Sequence, residues 1–547
     1  MVSVNFHPSG TVIDAEGGAL LLDVARRAGV RVEAACAGRG ICKSCIVRLE
    51  SATGAIPAPS DADLERFTAS EIENGWRRAC QVLIFDPLDI HVPAKSYAAN
   101  VALGQDGGNT ETEIRQPVAQ PTGEDRIWQI GDGACVGPLD GAPLALTVDL
   151  GTTNIAAALV DMVTGKLLKT SAATNPQTAF GADVISRLGA AKNSLENAAT
   201  LKAAALDTIR HLAHRMTGGN NRMIALVSLA GNTAMQHLAM GWPIKTLLSA
   251  PYTPSVTEPF EADAADFGLD LAQGARIYVA PSIAGFVGGD HVTSLYETSL
   301  SAKADCWAML DIGTNTEIGL FKDGHLTSVS CASGPAFEGG RLSCGMRAAP
   351  GAVEAVAIVG NKVSLKIIGN KEPVGICGSG VVSAVAALVN AGLVNRRGRM
   401  QPCAPIEVRG KQRELVLWRD PAHKALPVLF TQDDLRNVQL AKAAIRAGLD
   451  CLLGHAGLHE SDLEQLVIAG AFGRYIDIDE AVRIGLFPDL PKARISQVGN
   501  AAAAGVRRLS VCIKARQEAE ALARSVSYLE LASDPDFQRA FITRSGL

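Results

Sequence analysis

The chain has 547 residues, which suggests three or four units of about 150 residues each rather than a single core. Hydrophobic residues make up 47% and charged residues 20%, a globular and not a disordered composition. The formal net charge of −5 offers no basic surface for nucleic acid and no polybasic patch for a membrane. The N-terminus lacks a charged segment followed by an apolar one, so we expect a cytoplasmic protein without a secretory signal.

The first segment combines short strands with an amphipathic helix. Val2, Val4 and Phe6 alternate with polar residues, as in a half-buried strand. Apolar residues share one helical face from Ala19 to Ala28, which predicts a helix that ends near Gly29. Further strands are predicted at 46–49 and 82–92, with a loosely helical stretch at 60–74 between them.

Four of the twelve cysteines form a ligand pattern in this segment. Cys36, Cys42 and Cys45 have the spacing C-x5-C-x2-C, and 34 residues separate Cys45 from Cys80. Plant-type [2Fe–2S] proteins use C-x4-C-x2-C with a distant fourth cysteine, so the pattern predicts a [2Fe–2S] cluster held by four thiolates. Zinc is the alternative, but zinc sites favour two short C-x2–4-C hooks. The other eight cysteines are scattered and are expected to be mostly small buried hydrophobes.

A strand followed by an acidic, Gly-Thr-rich turn occurs twice after residue 143. Asp149-Leu-Gly-Thr-Thr-Asn154 follows the strand 144–148, and Asp311-Ile-Gly-Thr-Asn-Thr316 follows an apolar strand 162 residues later, from 149 to 311. Two copies predict two related lobes. Each glycine lets the backbone approach a phosphate, and each aspartate can hold Mg²⁺. The predicted phosphate-binding residues are Gly151, Thr152, Thr153, Asn154, Gly313, Thr314 and Asn315.

Further loops of small residues follow apolar strands and are expected to border a nucleoside. Gly378, Ser379 and Gly380 precede an apolar stretch, and a second group, Gly470, Ala471, Phe472 and Gly473, follows the strand at 467–469. The uncharged stretch 373–395 is long enough to cross a membrane, but its Gly, Ser and Asn residues favour a loop and a buried helix. The P-loop motif is absent.

The order of these loops matches the sugar kinase, actin and chaperone superfamily. With the cysteine motif, the whole chain resembles the reductive activators of corrinoid-dependent enzymes. Further motifs that carry the resemblance are Arg78-Ala-Cys-Gln81, Gly231-Asn-Thr-Ala234, Ile283-Ala-Gly-Phe-Val-Gly-Gly-Asp290, Ser333-Gly-Pro-Ala-Phe-Glu-Gly-Gly340 and Gly499-Asn-Ala-Ala502.

The resemblance implies a multidomain α+β and α/β fold, with a β-grasp ferredoxin domain, a linker and a two-lobed RNase H-like ATPase. The expected boundaries are 1–97 for the ferredoxin-like domain, 98–143 for the linker, 144–303 for lobe I, 304–515 for lobe II and 516–547 for a C-terminal tail. The linker shows no periodicity, although Trp128 and Ile130 indicate that its second half packs.

The activity implied by the resemblance is ATP-dependent, one-electron reduction of Co(II) to Co(I) by the [2Fe–2S] cluster. Asp149 and Asp311 would position Mg²⁺ beside ATP. The implied partners are a corrinoid protein or corrinoid-dependent methyltransferase and an unidentified electron donor, with a homodimer as the common assembly of relatives. We expect neither nucleic-acid nor membrane binding. The role of the loop 333–340 stays open.

Three alternatives remain at this point. An activator of a radical dehydratase would share a [4Fe–4S] cluster between subunits and would not need a separate ferredoxin domain. A small-molecule kinase with an attached electron-transfer module would need a base, for which Asp290 is a candidate. A redox sensor would use the ATPase fold for assembly alone.

Overall fold

The structure is a computed structural model, which describes residues 1–547 apart from positions 31, 33–44, 51–55, 94–111, 113, 182, 422–424 and 471. Cys36, Cys42, Ala471 and the first part of the predicted linker lie outside the described residues. The described chain forms two compact units, one of residues 1–100, 335–439 and 547, and the other of residues 101–334 and 440–546. The domain boundaries drawn from sequence stay a prediction. No helix within the described ranges is long and apolar enough to cross a membrane.

The N-terminal segment has a mixed five-stranded sheet packed on one helix, Leu21–Arg27. Val2–His7 pairs antiparallel with its neighbour in the hairpin and parallel with Leu88–His91, which is the β-grasp arrangement. Val4 and Phe6 are fully buried, which confirms the predicted alternation. The predicted helix begins at Leu21 and not at Ala19, because Ala19–Leu20 pairs with a short strand. In spatial order the strands of the sheet are Thr11–Ala15, Val2–His7, Leu88–His91, Ile46–Glu50 and Trp76–Arg78.

Short elements complete this domain. The acidic stretch predicted to be helical contains Asp61–Arg66 and Ala69–Glu73, each begun by a capping box at Ser60 or Thr68. The single strand predicted at 82–92 is two strands, Leu83–Ile84 and Leu88–His91, separated by a turn.

The second part of the same unit, residues 335–439, contains two small sheets and one buried helix. The helix, Gly378–Asn390, confirms the buried-helix interpretation of the uncharged stretch, because it is only 13 residues long. The strands are Ala352–Val359, Lys362–Ile367 and Gly375–Ile376 in one sheet, and Ile406–Arg409, Gln412–Trp418 and Val428–Thr431 in the other.

The other unit contains two six-stranded sheets with a shared pattern. In each, the strand that carries the Asp-Gly-Thr turn forms an antiparallel hairpin with the next strand and pairs in parallel with a later one. The topology confirms the two related lobes. The first sheet runs Leu167–Thr174, Asn154–Asp161, Leu144–Leu150, Ile224–Gly231, Arg276–Val279 and Phe260–Asp263; the second runs Ile495–Gly499, Gln465–Ala469, Cys306–Asp311, Thr316–Lys322, His325–Cys331 and Ser527–Tyr528.

Helices cover these sheets. They are Val184–Asn193, Leu195–Thr217, Thr233–Met240, Gly289–Ser301, Ile478–Arg483, Ala501–Val511, Ile513–Ser525 and Pro535–Arg544. Although Ala501–Val511 follows a strand of the second sheet, its Val506 and Leu509 belong to the core of the first. The predicted helix 437–456 is longer, Gln432–His455, and belongs partly to each compact unit.

The second half of the predicted linker is an antiparallel sheet of three strands, Ala119–Pro121, Trp128–Ile130 and Ala134–Val136. Ile130 is fully buried, as expected from the sequence. Val118 N donates to Val511 O at 3.1 Å, and Ile513 N donates to Gln116 O at 2.9 Å. This part of the chain is therefore hydrogen-bonded to the junction between two helices of the same unit.

Candidate functional site

The structure describes two of the four predicted cluster ligands, Cys45 and Cys80. Cys45 precedes strand Ile46–Glu50, and Cys80 lies in the one-turn 3₁₀ helix Ala79–Gln81. Both are buried, and Ala79 N donates to Cys45 O at 2.8 Å, which joins the two segments. Gln81 Nε2 lies 3.6 Å from Cys80 Sγ, so an amide donor faces this sulfur. Buried thiols with a nearby donor fit the environment of an iron–sulfur cluster.

The two Asp-Gly-Thr turns come together in the second unit. The first turn leads from strand Leu144–Leu150 into its hairpin partner, and the second leads from Cys306–Asp311 into its own. Thr153 Oγ1 lies 3.2 Å from Thr314 Oγ1. The hydroxyls of both predicted phosphate loops therefore face one another.

Neighbouring side chains fix the shape of the first turn. Asn175 Nδ2 donates to Gly151 O at 2.9 Å, and Asn175 N donates to Thr153 O at 2.9 Å. A Cβ on Gly151 would lie 2.7 Å from Asn154 O, so only glycine fits there. Asn175 was not found from sequence, because it lies far from the motif in the chain.

The second turn is fixed by Ser333 and Gly334. Ser333 Oγ lies 2.9 Å from Thr316 Oγ1 and donates to Gly313 O at 3.2 Å, while Gly334 N donates to Thr314 O at 2.8 Å. The start of the loop 333–340, whose role stayed open from sequence, therefore supports the second Asp-Gly-Thr turn.

Four carboxyl groups lie at or near the two turns and interact electrostatically. They are Asp149, Asp290, Asp311 and Glu317. Burial raises the pKa of all four carboxyls, and for three of them repulsion from others in the group adds to the shift. The pKa of Asp290 rises to about 8 and that of Asp311 to about 6. Buried carboxyls that repel one another favour a bound divalent cation, and carboxylate oxygens are ligands that Mg²⁺ accepts. The residues present therefore fit a magnesium ion.

Polar neighbours orient these carboxyls. Asn500 Nδ2 donates to Asp149 Oδ2 at 2.8 Å, and Ser294 Oγ donates to Asp311 Oδ2 at 2.6 Å. Ser330 Oγ donates to Glu317 Oε1 at 3.3 Å. Each donor opposes the pKa rise that burial causes, but none of the three carries a positive charge to neutralise the cluster.

Sequence reasoning did not assign Glu317 to the site, although a usable signal existed. Glu317 is the cross-strand partner of Asp311 in the hairpin, so the two residues had to be neighbours once the turn was accepted. Asp290 was considered only as the base of a kinase. It lies in the first turn of helix Gly289–Ser301 and accepts a hydrogen bond from His291 N at 2.8 Å.

The two predicted nucleoside loops lie in different compact units. Gly470 approaches the second turn so closely that a Cβ would lie 2.7 Å from Ile312 O, and its φ is +88°. Phe472 and Gly473 follow in the same unit. Gly378, Ser379 and Gly380 belong to the other unit and form the first turn of their helix, so they do not precede it as expected.

Three family models match the chain. The model of the 2Fe-2S iron-sulfur cluster binding domain matches residues 4–84, that of the RACo middle region matches 144–303, and that of the C-terminal domain of RACo, the ASKHA domain, matches 305–547. A solved structure described as a reductive activator for corrinoid, iron–sulfur protein has a TM-score of 0.71 and 28% identity, over 100% of this chain and 98% of that chain. The chain belongs to the family of reductive activators of corrinoid-dependent enzymes.

Curated relatives of this chain are named for corrinoid activation or corrinoid protein reduction. The corrinoid activation enzyme RamQ of Eubacterium limosum is 28% identical over 97% of this chain and 96% of its own length. The [Co(II) methylated amine-specific corrinoid protein] reductase of Methanosarcina barkeri is 28% identical over 66% of this chain and 69% of its own length. The expected ferredoxin domain and ASKHA domain are confirmed by these matches.

Proposed function

We propose that the protein uses ATP to drive the one-electron reduction of a corrinoid protein from Co(II) to Co(I). The observation that carries the proposal is the meeting of the two Asp-Gly-Thr turns at Thr153 and Thr314, in a chain that begins with a 2Fe-2S domain. Relatives named for corrinoid activation and for corrinoid protein reduction supply the substrate class.

In this proposal the second unit binds MgATP. Backbone and side-chain donors of Gly151–Asn154 and Gly313–Asn315 hold the phosphates from two sides. Asp149 and Asp311 hold Mg²⁺, and Asn500 and Ser294 keep their carboxylates oriented. Gly470 lies beside the second turn, and together with Phe472 it borders the nucleotide in this proposal. Asp290 and Glu317 are available to bind the attacking water or the metal's water ligands.

Cys36, Cys42, Cys45 and Cys80 hold the cluster in this proposal. When bound, a [2Fe–2S] cluster supplies one electron. The chain's own contribution is to bury Cys45 and Cys80, to join their segments through Ala79 N, and to direct Gln81 toward Cys80 Sγ.

ATP is needed because reduction of cob(II)alamin-type cobalt is uphill from an ordinary ferredoxin. About 1.4 kcal/mol shifts a one-electron equilibrium by 59 mV, so ATP hydrolysis can offset a large gap in potential. The nucleotide can do so only if the partner binds differently to two nucleotide states of the protein. A corrinoid protein or methyltransferase as partner, a separate electron donor, a homodimeric assembly and a cytoplasmic location are parts of this proposal.

The test uses cluster-loaded protein, reduced anaerobically, and a methylamine-type corrinoid protein held as Co(II). We expect loss of the Co(II) electron paramagnetic resonance signal and appearance of Co(I) absorbance only with MgATP. Asp149→Asn and Asp311→Asn abolish this reaction but keep the visible spectrum of the cluster. Asp305→Asn, at an exposed aspartate directly before strand Cys306–Asp311, retains both the ATP-dependent reduction and the cluster spectrum. Co(I) formation at the same rate without ATP would contradict the proposal.

A small-molecule kinase, with Asp290 as its base, is the alternative function. A kinase base needs a substrate hydroxyl in front of it, whereas Asp290 has Asp149, Asp311 and Glu317 as electrostatic neighbours. This setting favours a cation and water. Transfer of the γ-phosphate from labelled ATP to water, with no phosphorylated small molecule in a sugar panel, distinguishes the two functions.

A further inference from the structure

Three side chains of types that bind metal ions lie close together at the end of the helix Gln432–His455. None of them belongs to the two Asp-Gly-Thr turns. Cys451 and His455 lie four residues apart on the last turn of this helix, and Asp534 immediately precedes the helix Pro535–Arg544. His455 Nε2 lies 2.9 Å and Cys451 Sγ 3.4 Å from the same atom, Asp534 Oδ2. One ligand atom from each residue lies within 4.8 Å of the other two.

The carboxylate of Asp534 is held in position before any ligand binds. Its Oδ1 accepts hydrogen bonds from Asp536 N at 2.8 Å and Phe537 N at 3.3 Å, because Asp534 caps the last helix. The side chains of Asp534 and Cys451 are nearly buried, while that of His455 is 47% exposed. One side of the group is therefore open for an ion to enter and for a water ligand.

The surroundings favour a cation. A pocket lined by Asp450, Gly454, Asp536 and Ala540 opens onto Cys451 and His455. Both ligands on the long helix lie at its C-terminus, the negative end of the helix dipole. A Cβ on Gly454 would meet no atom within 4 Å, so the helix leaves space beside the group.

We propose that Cys451, His455 and Asp534 bind one Zn²⁺, with water as the fourth ligand. Thiolate, imidazole and carboxylate are all established zinc ligands, and tetrahedral zinc separates its ligand atoms by about 3.3–3.8 Å. The atoms now 2.9 Å and 3.4 Å apart need only small rotations to reach that spacing. Zinc displaces the thiol proton of Cys451 and links the last helix to the long helix. This inference does not depend on the proposed corrinoid reaction.

The test is calorimetric titration of cluster-loaded, full-length protein with Zn²⁺ in excess Mg²⁺, because the loaded cluster occupies the ferredoxin cysteines and Mg²⁺ occupies the carboxyl groups of the two turns. We expect one bound Zn²⁺ per chain and a rise in melting temperature. Cys451→Ser and His455→Gln each weaken zinc binding by about tenfold or more, as loss of a ligand should. Cys135→Ser, which removes an exposed thiol elsewhere, leaves the affinity unchanged.

Cys451→Ser is nearly isosteric and keeps a donor for Asp534, so we expect it to fold, and circular dichroism checks this. Equal zinc affinity in wild type, Cys451→Ser and His455→Gln would overturn the proposal. Failure of the folded wild-type protein to bind Zn²⁺ would overturn it as well.

Discussion

The hydroxyl of Thr153 lies 3.2 Å from the hydroxyl of Thr314, although 161 positions separate the two residues (153 to 314). We predict that Thr153→Val and Thr314→Val each slow ATP hydrolysis by about 10- to 100-fold. A hydrogen bond to a charged group contributes about 1.5–3 kcal/mol, and each variant removes one such donor to phosphate. Steady-state phosphate release measures the effect. Thr200→Val, on the exposed face of the helix Leu195–Thr217, serves as control and should be as active as wild type.

The acidic cluster should make the nucleotide-free fold less stable as pH rises. Because the pKa of Asp290 is raised to about 8, its ionisation opposes folding, and the loss of stability grows from about pH 4 until it levels off above pH 8. Asp290→Asn should therefore increase the free energy of unfolding at pH 8, by on the order of a few kcal/mol, and much less at pH 4. Urea unfolding without Mg²⁺ or nucleotide measures this. A pH-independent effect, or one equal to that of Asp305→Asn, would contradict the prediction.

A buried lysine gives a second pH dependence, of opposite sign, in which the free energy of unfolding increases as pH rises. Lys442 is 3% exposed and donates to Arg544 O at 2.8 Å. Burial and the charges of Arg446 and Arg544 lower its pKa to about 8. The charged lysine therefore destabilises the fold below pH 8, and this destabilisation decreases as pH rises from 8 to 10.5. Lys442→Met should reduce the gain in unfolding free energy between pH 7 and pH 10 by about 2 kcal/mol. Lys192→Met, at an exposed helical lysine, should leave that gain unchanged.

Alanine variants of two glycines with positive φ, Gly457 and Gly470, distinguish the effect of backbone strain from that of steric contact. A side chain at Gly457 meets no atom within 4 Å, whereas one at Gly470 meets Ile312 O at 2.7 Å. Gly457→Ala should cost about 1–2 kcal/mol of stability and leave nucleotide binding intact. Gly470→Ala should cost more and also weaken ATP binding, because the second phosphate turn must move. Fluorescent nucleotide titration and thermal unfolding report the two effects, and equal nucleotide affinity in both variants would refute the argument.

The amide of Gln81 should influence the potential of the cluster. Its Nε2 lies 3.6 Å from Cys80 Sγ, and a donor to a ligand sulfur stabilises the reduced, more negative state. Gln81→Leu should lower the reduction potential by about 20–60 mV, the equivalent of one hydrogen bond of 0.5–1.5 kcal/mol. Redox titration followed by visible absorbance measures it. Asn74→Leu, at an exposed amide of the same domain, should keep the wild-type potential.

The motifs of the site could be predicted from sequence, but the contacts between motifs could not. A strand followed by Asp-Gly-Thr is a local pattern, so both strands and the turns after them were predicted correctly. Asn175 and Ser333 act through folded geometry, since each reaches a turn that lies 17 residues or more away in the chain. A single amide or hydroxyl carries no pattern of its own, and only the assembled sheet shows its target.

The fold was predictable wherever periodicity reached several turns or strands. The buried helix Gly378–Asn390 was expected, but its first turn was interpreted as a loop because glycine usually interrupts helices. Packing explains the exception: a Cβ on Gly380 would lie 2.1 Å from Val353 O. The sheet at 119–136 was interpreted as linker because its three strands have only three residues each, too few to show alternation.

The two lobes carry matching hairpins, and identical hairpins would place equivalent groups on both sides of the point where Thr153 meets Thr314. ATP has no such symmetry, so its recognition requires the halves to differ. They differ at the aspartates of the two turns: Asp149 accepts from the amide of Asn500, which follows a strand of the second sheet, whereas Asp311 accepts from the hydroxyl of Ser294, on the helix that follows the first sheet. Each lobe thus orients the carboxylate of the other. This reciprocal arrangement makes the two sides of the site chemically different. It also makes the orientation of each aspartate depend on the presence of the other lobe.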